Sequence, residues 1–192
     1  MADKKTLIVL APSAEIAGGE GTGKLLKKGA MLKNYTAGEV MNASVDKGEV
    51  TSVTADGLAA EVEAGKALML LDLGSADTAA MEAAMVKVMD AVDRKTIIAL
   101  VGKNGLAFYG QGVDPKVGEI ARPAKAEDVL PTLATIGEFK LTAETAGAVI
   151  YPALKTPNAK LDEIEKLKEA LKRMEGALAR DNREPWDKHD CA

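Results

Sequence analysis

The sequence predicts an α/β fold, a mostly parallel sheet sandwiched by helices, with an added C-terminal helix. Three observations lead there. Continuous apolar runs stand at residues 7–11, 67–71 and 96–101, the pattern of parallel strands covered on both faces. Segments of helical period alternate with these runs. Beyond residue 156 a long helical pattern carries its own apolar seam.

The first run is Leu7-Ile8-Val9-Leu10-Ala11, closed by Pro12. A weaker run, Val50-Thr51-Ser52-Val53-Thr54, reads as an edge strand. Residues 56–64 form a short helix that Gly65 ends as a left-handed cap. The second strand, Ala67-Leu68-Met69-Leu70-Leu71, leads to a stronger helix over 77–93. Met81, Met85, Val88 and Val92 fall on one face there, with Glu82, Lys87 and Asp90 mostly opposite. The third strand, residues 96–101, is followed by a glycine-rich stretch over 106–118 that reads as a hairpin or ordered loop. A short helix follows over 126–136.

Residues 1–155 thus read as one α/β domain, and residues 156–192 as a helix with a polar tail. Thr156-Pro157 is a helix start, with Thr at the cap and Pro in the first turn. Ile164, Leu167, Leu171, Met174 and Leu178 then keep a 3-4-3-4 spacing over about two heptads. Such a stripe packs either on its own domain or on a second copy of the chain, and two heptads alone are marginal as an isolated coiled coil.

Composition narrows the chemistry. The 192 residues are 47% hydrophobic and 28% charged, which is globular rather than disordered, and long enough to bury a core without staples. A net charge of −4 at pH 7 and a pI near 5.2 argue against nucleic acid as a partner. One cysteine excludes an internal disulfide, and one histidine excludes a multi-histidine metal centre. No metal and no cofactor is expected. The apolar run at 6–11 is too short for a signal sequence, and no stretch approaches the ~20 residues of a membrane helix. The expectation is a cytoplasmic protein with no membrane partner, and Cys191 suits a reducing compartment.

Three constellations invite a chemical reading. Gly18 and Gly23 enclose four residues and precede Lys24, as in a phosphate-binding P-loop, but Leu25 stands where a Ser or Thr would hold magnesium. The loop also begins seven residues beyond its strand. It reads as a nucleotide site or as a glycine loop without a ligand. Asp72 and Asp77 lie at a strand end, where ligands of parallel sheets bind. They read as an acid–base or metal pair, or as a turn residue and a helix cap. In the tail, Asp187, His189 and Cys191 are metal-ligating types, yet lack a second histidine or thiol. A Ser-His-Asp triad is excluded by the position of His189 and the lack of a Gly-x-Ser-x-Gly elbow. Lys24, Lys27, Lys28 and Lys33 read as a solvated basic face.

Several segments come in a telling order: Asp72-Leu73-Gly74-Ser75-Ala76-Asp77, a helix ending Asp90-Ala91-Val92-Asp93, a strand leading to Gly102-Lys103-Asn104-Gly105, Asp128-Val129-Leu130-Pro131-Thr132-Leu133, and Gly147-Ala148-Val149-Ile150. With this order, residues 65–155 resemble the alkaline phosphatase superfamily, which includes sulfatases and cofactor-independent phosphoglycerate mutases. The resemblance implies an alkaline phosphatase-like sheet, closed by a strand at residues 147–150. Hydrolases of that family use two metal ions held by Asp and His, with a Ser, Thr or modified Cys nucleophile. Their Asp-His pair after the third strand corresponds to Lys103 and Asn104, and their first-strand Asp to Ala11 or Pro12. Asp77 corresponds to the Asp of their Asp-x-x-Gly-His motif, but Ala80 and Met81 replace its Gly and His. Lys103 brings a positive charge where a metal ion would sit, and two-metal chemistry needs both ions. The resemblance therefore implies a shortened relative without the metal site.

The expected function is a non-catalytic module for protein interaction, chiefly self-association as a homodimer through the C-terminal helix. One alternative is a binder of a small anion, or a metal-independent enzyme, using Asp72, Asp77, Lys103 and Asn104, with Gly102 and Gly105 supplying amides. The other is a nucleotide binder using Gly18, Gly23 and Lys24.

Overall fold

The computed structural model describes residues 4–41, 50–141, 147–156 and 159–181. The chain divides into two units, Met1–Lys155 and Thr156–Ala192. In chain order the first unit contains β1 (Lys5–Ala11), α1 (Gly23–Lys27), β2 (Ala30–Leu32), β3 (Tyr35–Thr36), β4 (Thr51–Ser52), α2 (Leu58–Glu63) and β5 (Leu68–Asp72). It continues with α3 (Thr78–Ala91), β6 (Thr96–Gly102), β7 (Leu106–Gly110), β8 (Gly118–Glu119), β9 (Ala124–Lys125) and α4 (Val129–Gly137). The second unit contains α5 (Ala159–Asp181).

Among the described residues, seven strands form one sheet in the order β4-β5-β1-β6-β7-β2-β8, and β3 pairs with β9 in a second, two-stranded sheet. The strands β4, β5, β1 and β6 are mutually parallel. At the far side β7 turns back antiparallel on β6, and β2 on β7. The fold is α/β with a mostly parallel sheet and an added C-terminal helix, as the apolar runs predict.

Both faces of the sheet are covered, which is why its central strands are apolar without alternation. Leu7, Val9, Met69, Leu71, Ile98 and Leu100 pack on one face against Leu25 of α1, Leu58 and Val62 of α2, and Met81, Met85 and Val88 of α3. Ile8, Leu68, Ile97, Ala99 and Val101 pack on the other against Val129, Leu130 and Leu133 of α4 and against Ile150. Met81 and Met85 are fully buried, each stabilising the sandwich by about 2 kcal/mol.

Asp77 starts α3 by accepting the Ala80 amide at 2.8 Å. Beyond α2, Gly65 takes the left-handed conformation (φ 75°), as expected of a helix end. The Gly147–Ile150 segment differs from the expectation of a closing strand: it has no strand pairing. Its amides bond side chains instead. The Ala148 amide donates to Asp128 Oδ1 at 2.7 Å and the Ile150 amide to Thr132 Oγ1 at 3.0 Å. In the second unit, Pro157 and the tail bearing Asp187, His189 and Cys191 lie outside the described residues. Among the described residues, no helix is long and apolar enough to cross a membrane.

Candidate functional site

The carboxyl ends of β1, β5 and β6 open onto a cavity of about 380 Å³. Leu10 and Pro12 line it from β1, Asp72 from β5, and Val101, Gly102 and Lys103 from β6; Tyr35 and residues 37–41 form the rest of the wall. This is where a parallel sheet ordinarily receives ligands, because the strands end there in loops free to vary.

Of the four candidate residues, Asp72 and Lys103 line this cavity. Asp72 Oδ1 also accepts the Gly74 amide at 2.8 Å, closing a turn. Asp77 and Asn104 do not line it. Asp77 is spent on the cap of α3. Asn104 Oδ1 accepts the Ile16 amide at 2.8 Å and its Nδ2 donates to the Ile16 carbonyl at 3.4 Å. The Lys103 amide donates to the Ala14 carbonyl at 2.8 Å. The β6–β7 turn therefore pins the loop after β1.

Sequence reasoning missed Tyr35, Glu39 and Met41, which line the cleft from the segment after β2. Burial pushes the Tyr35 phenol above its ordinary range. No run of apolar residues marks that segment, so only the fold brings it there. Among the described residues of the wall, the carboxylates Asp72 and Glu39 stand beside the ammonium of Lys103, so a small anion there meets more negative than positive charge from these side chains. Among the described residues, the lining includes no Ser, Cys or His.

A two-metal centre of the kind the hydrolases of the resembled superfamily use does not fit these side chains. Lys103 brings a cation to the cleft, Asn104 and Asp77 are engaged elsewhere, and among the described residues no three His, Cys, Asp or Glu side chains group as metal ligands.

The glycine loop of the nucleotide reading is folded onto α3. The Gly21 and Thr22 amides donate to Glu82 Oε2 at 2.8 and 3.0 Å, and the Gly19 amide to Glu82 Oε1 at 3.2 Å. The Thr22 hydroxyl donates to Glu82 Oε1 and accepts the Gly19 amide. A Cβ at Gly21 would overlap the Glu82 carbonyl oxygen, so only glycine lets the loop lie this close. Burial raises the Glu82 pKa, but the bonds from Thr22, Gly19 and Gly21 outweigh it and hold the carboxyl below its ordinary value. The amides that would cradle a phosphate are thus directed at a carboxylate of the chain itself. Lys24 is exposed one residue into α1. Glu82 was legible only as a member of a polar helix face; the signal that could have found it is a loop with spare amides and no anion in reach.

On α5 the stripe is exposed. Ile164 is 47% exposed, Leu167 64%, Leu171 57% and Met174 64%. The side chain of Leu178 lies outside the described residues.

Comparison with known proteins finds no matching family model, no similar curated protein and no similar solved structure.

Proposed function

We propose that this chain is a non-catalytic α/β module that self-associates through α5. The observation that carries the reading is the row of four large apolar side chains exposed on that helix. Their 3-4-3 spacing is the repeat with which helices pack against each other.

A second copy brings the same stripe: four side chains from each of two copies, at roughly 1–2 kcal/mol each for the surface they still expose, set against an association cost of about 4–15 kcal/mol. A helix with Gly176 near its end also gains from a partner, since an interior glycine weakens it by about 1 kcal/mol. Exposed Lys168 and Glu175 flank the stripe and offer opposite charges to a facing copy. In support of a non-catalytic role, two of the four strand-end candidates, Asp77 and Asn104, are committed to holding the fold.

Leu171→Glu tests the reading, because a charge at the centre of the seam cannot be buried without a partner. The expected product is a folded monomer, with the circular dichroism of the α/β unit unchanged. A variant that keeps the wild-type mass in light scattering overturns the reading.

A further inference from the structure

We propose that the cavity at the amino end of β6 binds the phosphate group of a small phosphomonoester. This cavity, about 350 Å³, lies at the opposite end of β6 from the strand-end cleft, about 20 Å away by the length of that strand. Three cations from separate segments line it: Lys28 after α1, Arg94 before β6 and Lys155 at the end of the first unit. None of the three is paired with a carboxylate among the described residues. In a chain of net charge −4, such a gathering is unfavourable without a negative partner, since like charges repel.

The acid in the same wall, Asp93, is already neutralised. Its Oδ2 accepts Lys5 Nζ at 2.8 Å, and its Oδ1 accepts the Lys95 amide at 3.0 Å and the Thr96 hydroxyl at 2.8 Å. Those bonds close a turn that holds Arg94 between them. The surroundings are fixed as well. A Cβ at Gly110 would overlap the Thr96 carbonyl oxygen, and one at Gly29 the Phe108 carbonyl oxygen, so both backbones approach as only glycine can. The Lys155 amide donates to the Gly112 carbonyl at 2.9 Å. The backbone around the cavity is thus closely packed, and the three cationic residues stand exposed at its rim.

A guanidinium and two ammonium groups suit a dianionic phosphate. Tyr109 and Gln111 also line the cavity, and an aromatic ring and a side-chain amide suit an organic group on the phosphate rather than the bare ion.

Titration calorimetry of the full chain with inorganic phosphate and with phenyl phosphate tests this. The expected result is binding of both, tighter for phenyl phosphate. Arg94→Ala and Lys155→Ala should each weaken phenyl phosphate about tenfold, as loss of one charge-assisted contact does, while Lys103→Ala and Lys24→Ala leave it unchanged. No binding by the wild type overturns the proposal. So does loss in Lys103→Ala or Lys24→Ala with retention in Arg94→Ala, which would place the phosphate at the strand-end cleft or the glycine loop. Equal affinity for the two ligands overturns the phosphomonoester assignment.

Discussion

Glu82 accepts both the amide and the hydroxyl proton of Thr22, sixty residues before it in the chain. With the Gly19 and Gly21 amides added, one carboxylate gathers three amides and a hydroxyl of the glycine loop and ties it to α3. An arrangement that reads in sequence as a phosphate cradle is here a structural lock.

Removing that lock leaves amides without an acceptor. Glu82→Ala should lower stability by about 2 kcal/mol, as expected when several hydrogen bonds to a charged group are lost at a half-buried position. Glu82→Gln retains an acceptor oxygen and should lose less. Urea midpoints of the two variants against wild type check this; equal midpoints for Ala and wild type would contradict it.

Acid should act through the same kind of group. The Lys5 ammonium bonded to Asp93, helped by Thr96 and the Lys95 amide, outweighs burial and lowers that carboxyl to about 2, and Glu82 is also held low. A carboxyl with a lowered folded pKa binds protons more readily when unfolded. Its stabilisation is thus complete above about pH 4 and is lost as pH falls toward the folded value. Asp93→Asn should flatten the fall in urea midpoint between those limits. Parallel curves for variant and wild type would show that Asp93 contributes nothing there.

Thr132 joins two segments. Its hydroxyl donates to the Asp128 carbonyl at 2.7 Å and accepts the Ile150 amide, and the residue is fully buried. Thr132→Val preserves shape but leaves a buried amide unpaired, which costs about 1–3 kcal/mol. Thr132→Ser keeps the hydroxyl and loses one methyl, about 1 kcal/mol. Thermal unfolding should rank Ser above Val, and the reverse order would remove Thr132 from the account.

What the sequence made legible follows from how local each signal is. The continuous runs at β1, β5 and β6, the Met81–Met85–Val88 stripe and the Asp77 cap are written within a few residues, and the structure has them in place. β2 was missed because Ala30-Met31-Leu32 is three residues long and pairs with Phe108, Ala107 and Leu106 far along the chain. The segment at 147–150 looks like a strand by composition, but its amides are claimed by Asp128 and Thr132. The strand-end cleft was legible by half: Asp72 and Lys103 line it, while Asp77 caps α3, Asn104 ties down the loop after β1, and Glu39 arrives from elsewhere. Such long-range roles leave no periodicity to read.

Sedimentation equilibrium of the full chain over a wide range of concentration reads whether a second copy covers the α5 stripe. A homodimer gives a mass approaching twice 20.1 kDa as concentration rises. A mass of 20.1 kDa throughout would contradict it.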